Sequence, residues 1–230
     1  ATPTINIANR LSYNLSGSCS EYLHSETVDV VATDRLSGSL TFNIPCSAGS
    51  YNQNVDLSSF ADSVNPTTAD FNFTFNHSDR GSNSAIQITR NIRKDTVAPT
   101  ISNNNTSHAA QTRICGEDVR FNVNFSEVVE GATSSRLLLT FSHSEVNPGA
   151  TYATYNTGNS STQYRYIYNI PNGYIGNGDE DTDGVDQASS IDLQGGSIAD
   201  VNGNPLASNT LSTTNFATLL IDGIKPLITN

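Results

Sequence analysis

Five carboxylates crowd into eight consecutive positions late in the chain, and divalent-cation binding is the chemistry they could perform. Asp179, Asp181 and Asp183 alternate and are followed by Gly184. This order matches the opening of a calcium loop, where carboxylates at positions one, three and five converge and glycine permits the sharp turn. The pattern departs from an EF-hand at the twelfth position, which is Ser190. The predicted calcium ligands are Asp179, Asp181, Asp183 and Asp186. The alternative is a solvated acidic hairpin.

A second set of carboxylates stands near a predicted domain junction. Asp95 precedes the second predicted domain, and Glu127 ends a strand within it. The arrangement resembles that of cadherin-like proteins, in which linker Asp and loop Glu side chains hold the calcium that stiffens tandem modules. We expect a junction site formed by Asp95 and Glu127, with Asp200 as a further candidate. The alternative is that Asp95 and Asp222 only cap turns before proline.

The sequence contains neither the serine-hydrolase motif nor the zinc-binding motifs that would indicate an enzyme. No G-x-S-x-G elbow is present, so the serine-hydrolase pattern is missing. The four histidines are His24, His77, His108 and His143. None of them has the spacing of a zinc protease or a zinc finger. We therefore expect no catalytic residues and no enzyme.

The composition of the chain excludes several classes of protein. The formal net charge is −11, which argues against nucleic acid as a partner because such binding needs clustered Lys and Arg. No apolar run approaches the roughly 18–20 residues of a membrane span. The chain begins without methionine, and we expect it to be a piece of a longer polypeptide.

A short motif that contains proline recurs in the sequence and divides the chain. It occurs as Pro3–Ile5, as Asp95–Ile101 and as Asp222–Ile228, and in the last two an Asp stands four residues before a Pro. Proline fixes φ and removes a backbone donor, so each copy of the motif should end one sheet and begin the next. The predicted divisions are a domain over 1–96, a larger domain over 97–223, and the start of a linker to a following module over 224–230.

Short alternating segments between turn residues predict strands throughout. Phe71–Phe75 places three Phe side chains on one face, and Val119–Phe125 and Tyr164–Tyr168 alternate in the same way. Ala85–Thr89 is predicted to close the first domain. Helix is expected in at most one or two short turns, with Asp56–Asp62 as the candidate.

The first domain resembles a bacterial immunoglobulin-like repeat of large surface adhesins. The resemblance is carried by a D-L-S-x-hydrophobic-A-D turn at Asp56–Asp62 and by a terminal D-x-x-x-P-T at Asp95–Thr100. A D-x-x-G-N hairpin corresponds, one residue off pattern, to Asp79–Asn83.

The second domain resembles a sister repeat of the same proteins over nearly all its length. The matching segments are Phe125–Val129, Ala150–Tyr152, Asp181–Gly184, Gly195–Asn204 and Ile221–Pro226. The resemblance implies an all-β fold of two tandem immunoglobulin-like, cadherin- or fibronectin-like antiparallel β-sandwiches. One such fold hosts many functions, so the resemblance is poor evidence for a ligand.

The three cysteines give information on the cellular compartment of the chain, because disulfides persist mainly where the environment is oxidising. A disulfide between Cys19 and Cys46 would close a loop of about 27 residues and stabilise the domain by roughly 3 kcal/mol. The alternative is two buried free thiols. We predict this bond because the resemblance implies an extracellular setting, where disulfides persist. Cys115 remains, either as a free half-buried thiol or as an intermolecular bridge.

Three functions are consistent with these features. The first is a non-enzymatic spacer in a bacterial cell-surface or secreted adhesin-type protein, whose cell-surface glycan or protein ligand is unknown and whose neighbours are further modules of the same chain. The second is a glycan- or protein-binding module, and the third is an accessory domain of a secreted hydrolase. A glycan site could draw on Tyr152, Tyr155, Tyr164, Tyr166, Tyr168 and Tyr174. Alternating Tyr residues on a strand are more often core and cross-strand pairs.

Overall fold

The computed structural model describes residues 3–20, 26–65, 67–108, 110–144, 151–174 and 178–228. His24 and the predicted motif residue Ala150 lie outside these ranges. Over the described ranges the structure consists of strands and turns without helix, and so without a helix able to span a membrane. The chain is all-β and forms two β-sandwich units. Unit 1 comprises Ala1–Val97 with Asn202–Asn204, and unit 2 comprises Ala98–Val201 with Pro205–Asn230.

Seven strands build unit 1. They are β1 (Thr4–Ile5), β2 (Tyr13–Ser18), β3 (Thr27–Thr33), β4 (Ser39–Pro45), β5 (Ser50–Val55), β6 (Phe71–His77) and β7 (Ile88–Lys94). The larger sheet has the order β1-β7-β6-β3-β4, and β2 and β5 form a two-stranded sheet. All neighbouring strands are antiparallel except β1 and β7, which are parallel.

The core of unit 1 lies between its two sheets. Phe71 and Phe73 of β6 are buried and their ring centroids lie 5.2 Å apart, whereas Phe75 is half-buried. The period-two alternation of β6 places all three rings on one face of the sheet. The predicted disulfide between Cys19 and Cys46 is present, with Cα atoms 6.1 Å apart. Cys46 packs into the same core.

The segment Asp56–Asp62 forms a turn rather than the helical turn that the sequence suggested. Asp56 Oδ1 accepts a hydrogen bond from the backbone N–H of Ser58 at 2.8 Å. This bond forms an Asx turn, and the Ala61 N–H, which a helix would direct to the Leu57 carbonyl, donates instead to Asp34 Oδ2 at 2.7 Å. The turn buries Leu57 and Phe60 in the core of unit 1.

Fourteen strands build unit 2. They are β8 (Ile101–Thr106), β9 (Gln111–Ile114), β10 (Asp118–Gly131), β11 (Arg136–Thr140), β12 (His143–Ser144), β13 (Thr151–Thr157), β14 (Ser161–Asn169), β15 (Gly173–Tyr174), β16 (Asp179–Asp181), β17 (Val185–Gln187), β18 (Ile198–Asp200), β19 (Asn215–Phe216), β20 (Leu219–Asp222) and β21 (Ile224–Lys225). An eight-stranded sheet has the order β18-β10-β14-β13-β11-β17-β19, with β8 also paired to β10. A second sheet has the order β12-β16-β20-β9, and β15 pairs with β21.

The core of unit 2 is built largely from β10 and β14. The predicted alternation places Val119, Phe121 and Val123 of β10 in the core, completely or almost completely buried. Antiparallel pairing sets Phe121 opposite Tyr166 and Val123 opposite Tyr164. Residues directly opposite each other share a face of the sheet, so these apolar and aromatic side chains pack together. Leu219 and Ile221 of β20 contribute from the second sheet.

Candidate functional site

The first two carboxylates of the predicted calcium loop point into unit 2. Asp179 and Asp181 are the ends of β16, and both are buried. The period of a strand turns their side chains to the same face. The phenol O–H of Tyr168 donates a hydrogen bond to the Asp179 carboxylate. Burial and this hydrogen bond raise the pKa of Tyr168 far above its ordinary value.

Asp181 organises the turn that follows β16. Its carboxylate accepts backbone N–H groups from Gly184 at 2.7 Å, Ser142 at 3.1 Å and Asp183 at 3.3 Å. Burial raises the pKa of Asp181 above its usual range, although the three backbone donors act to lower it. Gly184 adopts a φ of +106°, and a Cβ there would lie 2.4 Å from the Cα of Ala217, so glycine is required at this turn.

The remaining two carboxylates of the loop face solvent. Asp183 and Asp186 are exposed, and Asp186 Oδ1 accepts a hydrogen bond from Asn215 Nδ2 at 2.6 Å. The four predicted ligands, all within the described ranges, do not bring three carboxylate oxygens within 4.8 Å of one another. The side chains of Asp179 and Asp181 are buried in unit 2, whereas those of Asp183 and Asp186 are exposed to solvent. Calcium binding by this loop stays a prediction.

Asp95, the first predicted junction ligand, lies buried in unit 1. Its Oδ2 accepts a hydrogen bond from Asn202 Nδ2 at 2.7 Å, and its Oδ1 accepts one from the backbone N–H of Val97 at 3.1 Å. Its backbone carbonyl accepts a hydrogen bond from Asn204 Nδ2 at 2.9 Å. Asp95 therefore caps the turn that follows β7, and the two asparagines that surround it were not singled out as partners from the sequence.

Glu127, the second predicted junction ligand, lies in unit 2 close to Asp200. Glu127 belongs to β10 and Asp200 to β18, which pair antiparallel with Val129 opposite Asp200. The structure brings one carboxylate oxygen of each side chain within 4.8 Å of the other. Asp200 is buried and Glu127 is half-buried. Two carboxylates this close repel each other in a partly desolvated site, and oxygen-ligated cations relieve such repulsion.

The tyrosines that could have formed a glycan platform lie mainly in the core. The side chains of Tyr164, Tyr166 and Tyr168 are buried. Burial raises the pKa of Tyr166 to about 12, against a hydrogen bond with Ser135 that acts to lower it. The guanidinium of Arg136 lies 3.6 Å from the ring centroid of Tyr152 and covers it. The side chain of Tyr174 lies outside the described part of the chain.

An amide ladder on the outward face of the eight-stranded sheet was missed from the sequence. Gln163 Nε2 donates to Asn124 Oδ1 at 2.7 Å, and Asn124 Nδ2 donates to Asn103 Oδ1 at 2.5 Å. Asn122 continues the row through hydrogen bonds with Asn105 and Arg165. An open depression of about 470 Å³ adjoins Gln163 and Arg165. The alternation of Asn with Val and Phe on β10 is the signal that could have placed these amides outward.

Comparison with known proteins does not assign the chain to a family. No known protein family matches the sequence, and no curated protein matches it. The chain is similar to the tetra-tandem repeat in the extending region of a large adhesion protein, with 20% identity and a TM-score of 0.33. That match covers 91% of this chain and 48% of the other, so the chain spans about half the length of that structure.

A second solved structure is a chimeric titin Z1Z2-Z1Z2 tandem carrying a GRGDS peptide from fibronectin. It is 9% identical, has a TM-score of 0.24, and the match covers 98% of this chain and 95% of that one. Because both TM-scores lie below 0.5, neither similarity bears on the function of this chain.

Proposed function

We propose that this chain is a non-enzymatic spacer segment of a larger bacterial surface or secreted adhesin-type protein. The observation that carries the proposal is that each unit closes its own apolar core, one after the other along the chain. Self-contained sandwiches in tandem lengthen a protein without needing a ligand of their own. The resemblance of both sequence units to adhesin repeats supports the same role.

We place the segment outside the cell. The disulfide between Cys19 and Cys46 supports this location, because such bonds form and persist in oxidising compartments and are rare where thiols are kept reduced. The net charge of −11 suits a long exposed protein, since net charge of one sign keeps chains dispersed.

A binding module is the second candidate function. The amide ladder favours it, because amide and guanidinium groups can donate to and accept from sugar hydroxyls. On this alternative the ligand is a glycan that lies across Asn124, Gln163 and Arg165, beside the open depression.

Exchange of the segment in the full-length protein separates the two candidates. In one variant the 230 residues are replaced by two unrelated β-sandwich domains of similar length, and in another the segment carries Gln163→Ala and Arg165→Ala. A spacer predicts that adhesion to the natural surface survives both changes. Loss of adhesion in either variant, together with glycan-array binding by the isolated segment, would establish the binding module instead.

We further propose that calcium binds beside Glu127 and Asp200. The paired carboxylates within 4.8 Å support the proposal, because oxygen-only ligands favour calcium or magnesium over transition metals. Calcium suits an irregular site better, since it accepts six to eight ligands in flexible geometry. Asp95 is retained as a further ligand on the sequence argument alone.

Millimolar calcium is expected to raise the melting temperature, and chelator to lower it. An ion that binds only the folded state adds about 2.7 kcal/mol to stability at a hundredfold excess over Kd. Glu127→Gln should abolish the calcium shift, whereas Asp183→Asn should leave it unchanged. The reverse result would assign the ion to the acidic loop, and a wild-type melting temperature indifferent to calcium would rule out both sites.

A further inference from the structure

The side chain of His77 joins three segments at one end of unit 1. His77 is the last residue of β6. Its Nδ1 lies 3.0 Å from the backbone carbonyl oxygen of Thr27, the first residue of β3, and its Nε2 lies 2.9 Å from the carbonyl oxygen of Ser20. Ser20 follows Cys19 just after β2. The ring therefore connects the larger sheet of unit 1 to the chain that leaves the smaller sheet.

Both ring nitrogens of His77 must donate a hydrogen to make these two contacts. A carbonyl oxygen can only accept, and a neutral imidazole carries hydrogen on one of its nitrogens only. The neutral ring would set an unshared electron pair against one of the carbonyls, whereas the imidazolium satisfies both. The His77 side chain is 13% exposed, so little of it is open to water that could replace a lost partner.

Most of the charged groups that face His77 favour the imidazolium. Glu26 Oε2 lies 3.7 Å from Nε2 of the ring. Asp29 of β3 and Asp79 of the turn after β6 also interact electrostatically with it. Arg80 lines the same open depression, and its backbone N–H donates to Glu26 Oε1 at 3.0 Å. Three carboxylates thus surround the ring against one guanidinium.

The protonated ring stabilises unit 1 on the acidic side of its titration. The carbonyls of Ser20 and Thr27 raise the pKa of His77 above its ordinary value, and Glu26 and Asp29 act in the same direction, whereas burial acts to lower it. A pKa that is higher in the folded state gives a stabilisation that is fully present below the ordinary value of about 6.5. That stabilisation is lost as the pH rises through the pKa of the folded state.

The disulfide between Cys19 and Cys46 closes the same end of unit 1. Cys46 is buried and Cys19 is half-buried, so access of a reductant to the bond depends on how firmly this end is held. A groove of about 200 Å³ at this end is lined in part by Cys19, Ser20, Tyr51 and His77. Burial raises the pKa of Tyr51, so this phenol stays neutral over the range in which His77 titrates.

We propose that protonated His77 is a latch that holds Cys19 and Ser20 against the larger sheet and shields the disulfide. Loss of the proton removes one of the two hydrogen bonds to the carbonyls of Ser20 and Thr27, and this end of the sandwich then opens more often. The latch couples two signals, because the pH sets how readily a reductant breaks the bond between Cys19 and Cys46. It does not depend on the spacer role, which the segment exchange tests separately.

Long-range proton–nitrogen NMR of the whole chain tests the protonation of His77. At about pH 6.5, where an unperturbed histidine is half protonated, His77 should be mainly the imidazolium, with hydrogen on both nitrogens. His108 is the control in the same spectrum and should be mainly neutral, since burial lowers its pKa. Glu26→Gln keeps an acceptor for the Arg80 N–H and should lower the pKa of His77. A His77 that titrates at or below its ordinary value would overturn the proposal.

The rate at which a water-soluble phosphine reduces the disulfide tests the latch itself. The phosphine gives two electrons to the S–S bond and is converted with water to its oxide, while both cysteines are released as thiols. At about pH 6, His77→Gln should be reduced several-fold faster than the wild type, and the ratio of the two rates should fall towards one at about pH 9. Because the ratio is taken at each pH, the pH dependence of the phosphine itself cancels.

Matched variants assign the effect to His77. His108→Gln in unit 2 should be reduced at the wild-type rate at every pH, and circular dichroism checks that each variant folds. Glu21 and His24 lie in sequence between the two latch carbonyls and outside the described residues. In a Glu21→Gln/His24→Gln background, His77→Gln should still produce the same pH-dependent ratio. A ratio that stays at one, that does not change with pH, or that vanishes in this background would contradict the latch.

Discussion

Replacing Cys19 and Cys46 together by alanine is expected to lower the free energy of unfolding of unit 1 by about 3–4 kcal/mol. The disulfide closes a loop with a sequence separation of 27, and in the chain-entropy model a loop of that length destabilises the unfolded state by about this amount. For a domain of about 100 residues the melting temperature should fall by roughly 10–20 °C. Calorimetry and urea unfolding would measure both quantities. Alanine is chosen because Cys46 is buried and a serine hydroxyl there would add a desolvation penalty.

Cys115→Ala is the matched control for this prediction. Cys115 is a free thiol in unit 2, so its replacement should leave the unfolding of unit 1 unchanged. Reduction of the wild-type chain should reproduce the effect of the double variant. A double variant within about 1 kcal/mol of the wild type would contradict the prediction, as would alkylation of Cys19 and Cys46 in the native chain without reductant.

Asp62→Ala is expected to destabilise unit 1 by about 3 kcal/mol because it removes the partner of a buried cation. Lys94 is 1% exposed, and its Nζ donates to Asp62 Oδ1 at 2.9 Å and to the carbonyl of Phe60 at 2.8 Å. Removing one partner of a buried ion pair typically costs about 3–5 kcal/mol. The lower end applies here because the Asp62 side chain is 28% exposed, and water can screen part of the charge left behind.

Lys94→Met should be tolerated better than Asp62→Ala, since it removes the buried charge and keeps most of the length of the side chain. The decisive measurement is the double variant. Adding Lys94→Met to Asp62→Ala should raise the free energy of unfolding above that of Asp62→Ala alone, although it is a second change in the core. A double variant less stable than Asp62→Ala would show that the ion pair does not determine the stability of this site.

Strand alternation allowed much of the fold to be predicted. Phe71, Phe73, Val119, Phe121 and Tyr164 occupy the core positions that a period of two assigns to them, because each lies on a sheet with one buried face. The closing strand of unit 1 was placed three residues early, at Ala85 instead of Ile88. The alternation of apolar and polar residues begins at Ile86, so it places the start of the strand too early. The strand itself continues to Lys94, a charged residue that is buried because it pairs with the distant Asp62.

Side-chain partners within the candidate sites could be predicted less well. The spacing of Asp179 and Asp181 predicts that they share a face, but not that this face is the interior, where Tyr168 binds Asp179. Glu127 and Asp200 were named together only through the resemblance to cadherin-like junctions, and their closeness follows from the antiparallel pairing of Val129 with Asp200, 71 positions apart. No local pattern determines such long-range pairing, and the same holds for Asn202 and Asn204 around Asp95.

The parallel pairing of β1 with β7 determines how unit 1 responds to a stretching force. Among the described strands of unit 1, β1 is the first and β7 the last along the chain, and the two run side by side in the same direction. A pull on the two ends makes the strands slide past each other, so their hydrogen bonds are strained together instead of being peeled apart one at a time. Ile5 and Lys94, both buried, anchor the pair. Lifetime under tension is governed by the unfolding rate, and in unit 1 the rupture of this short pair should set that rate.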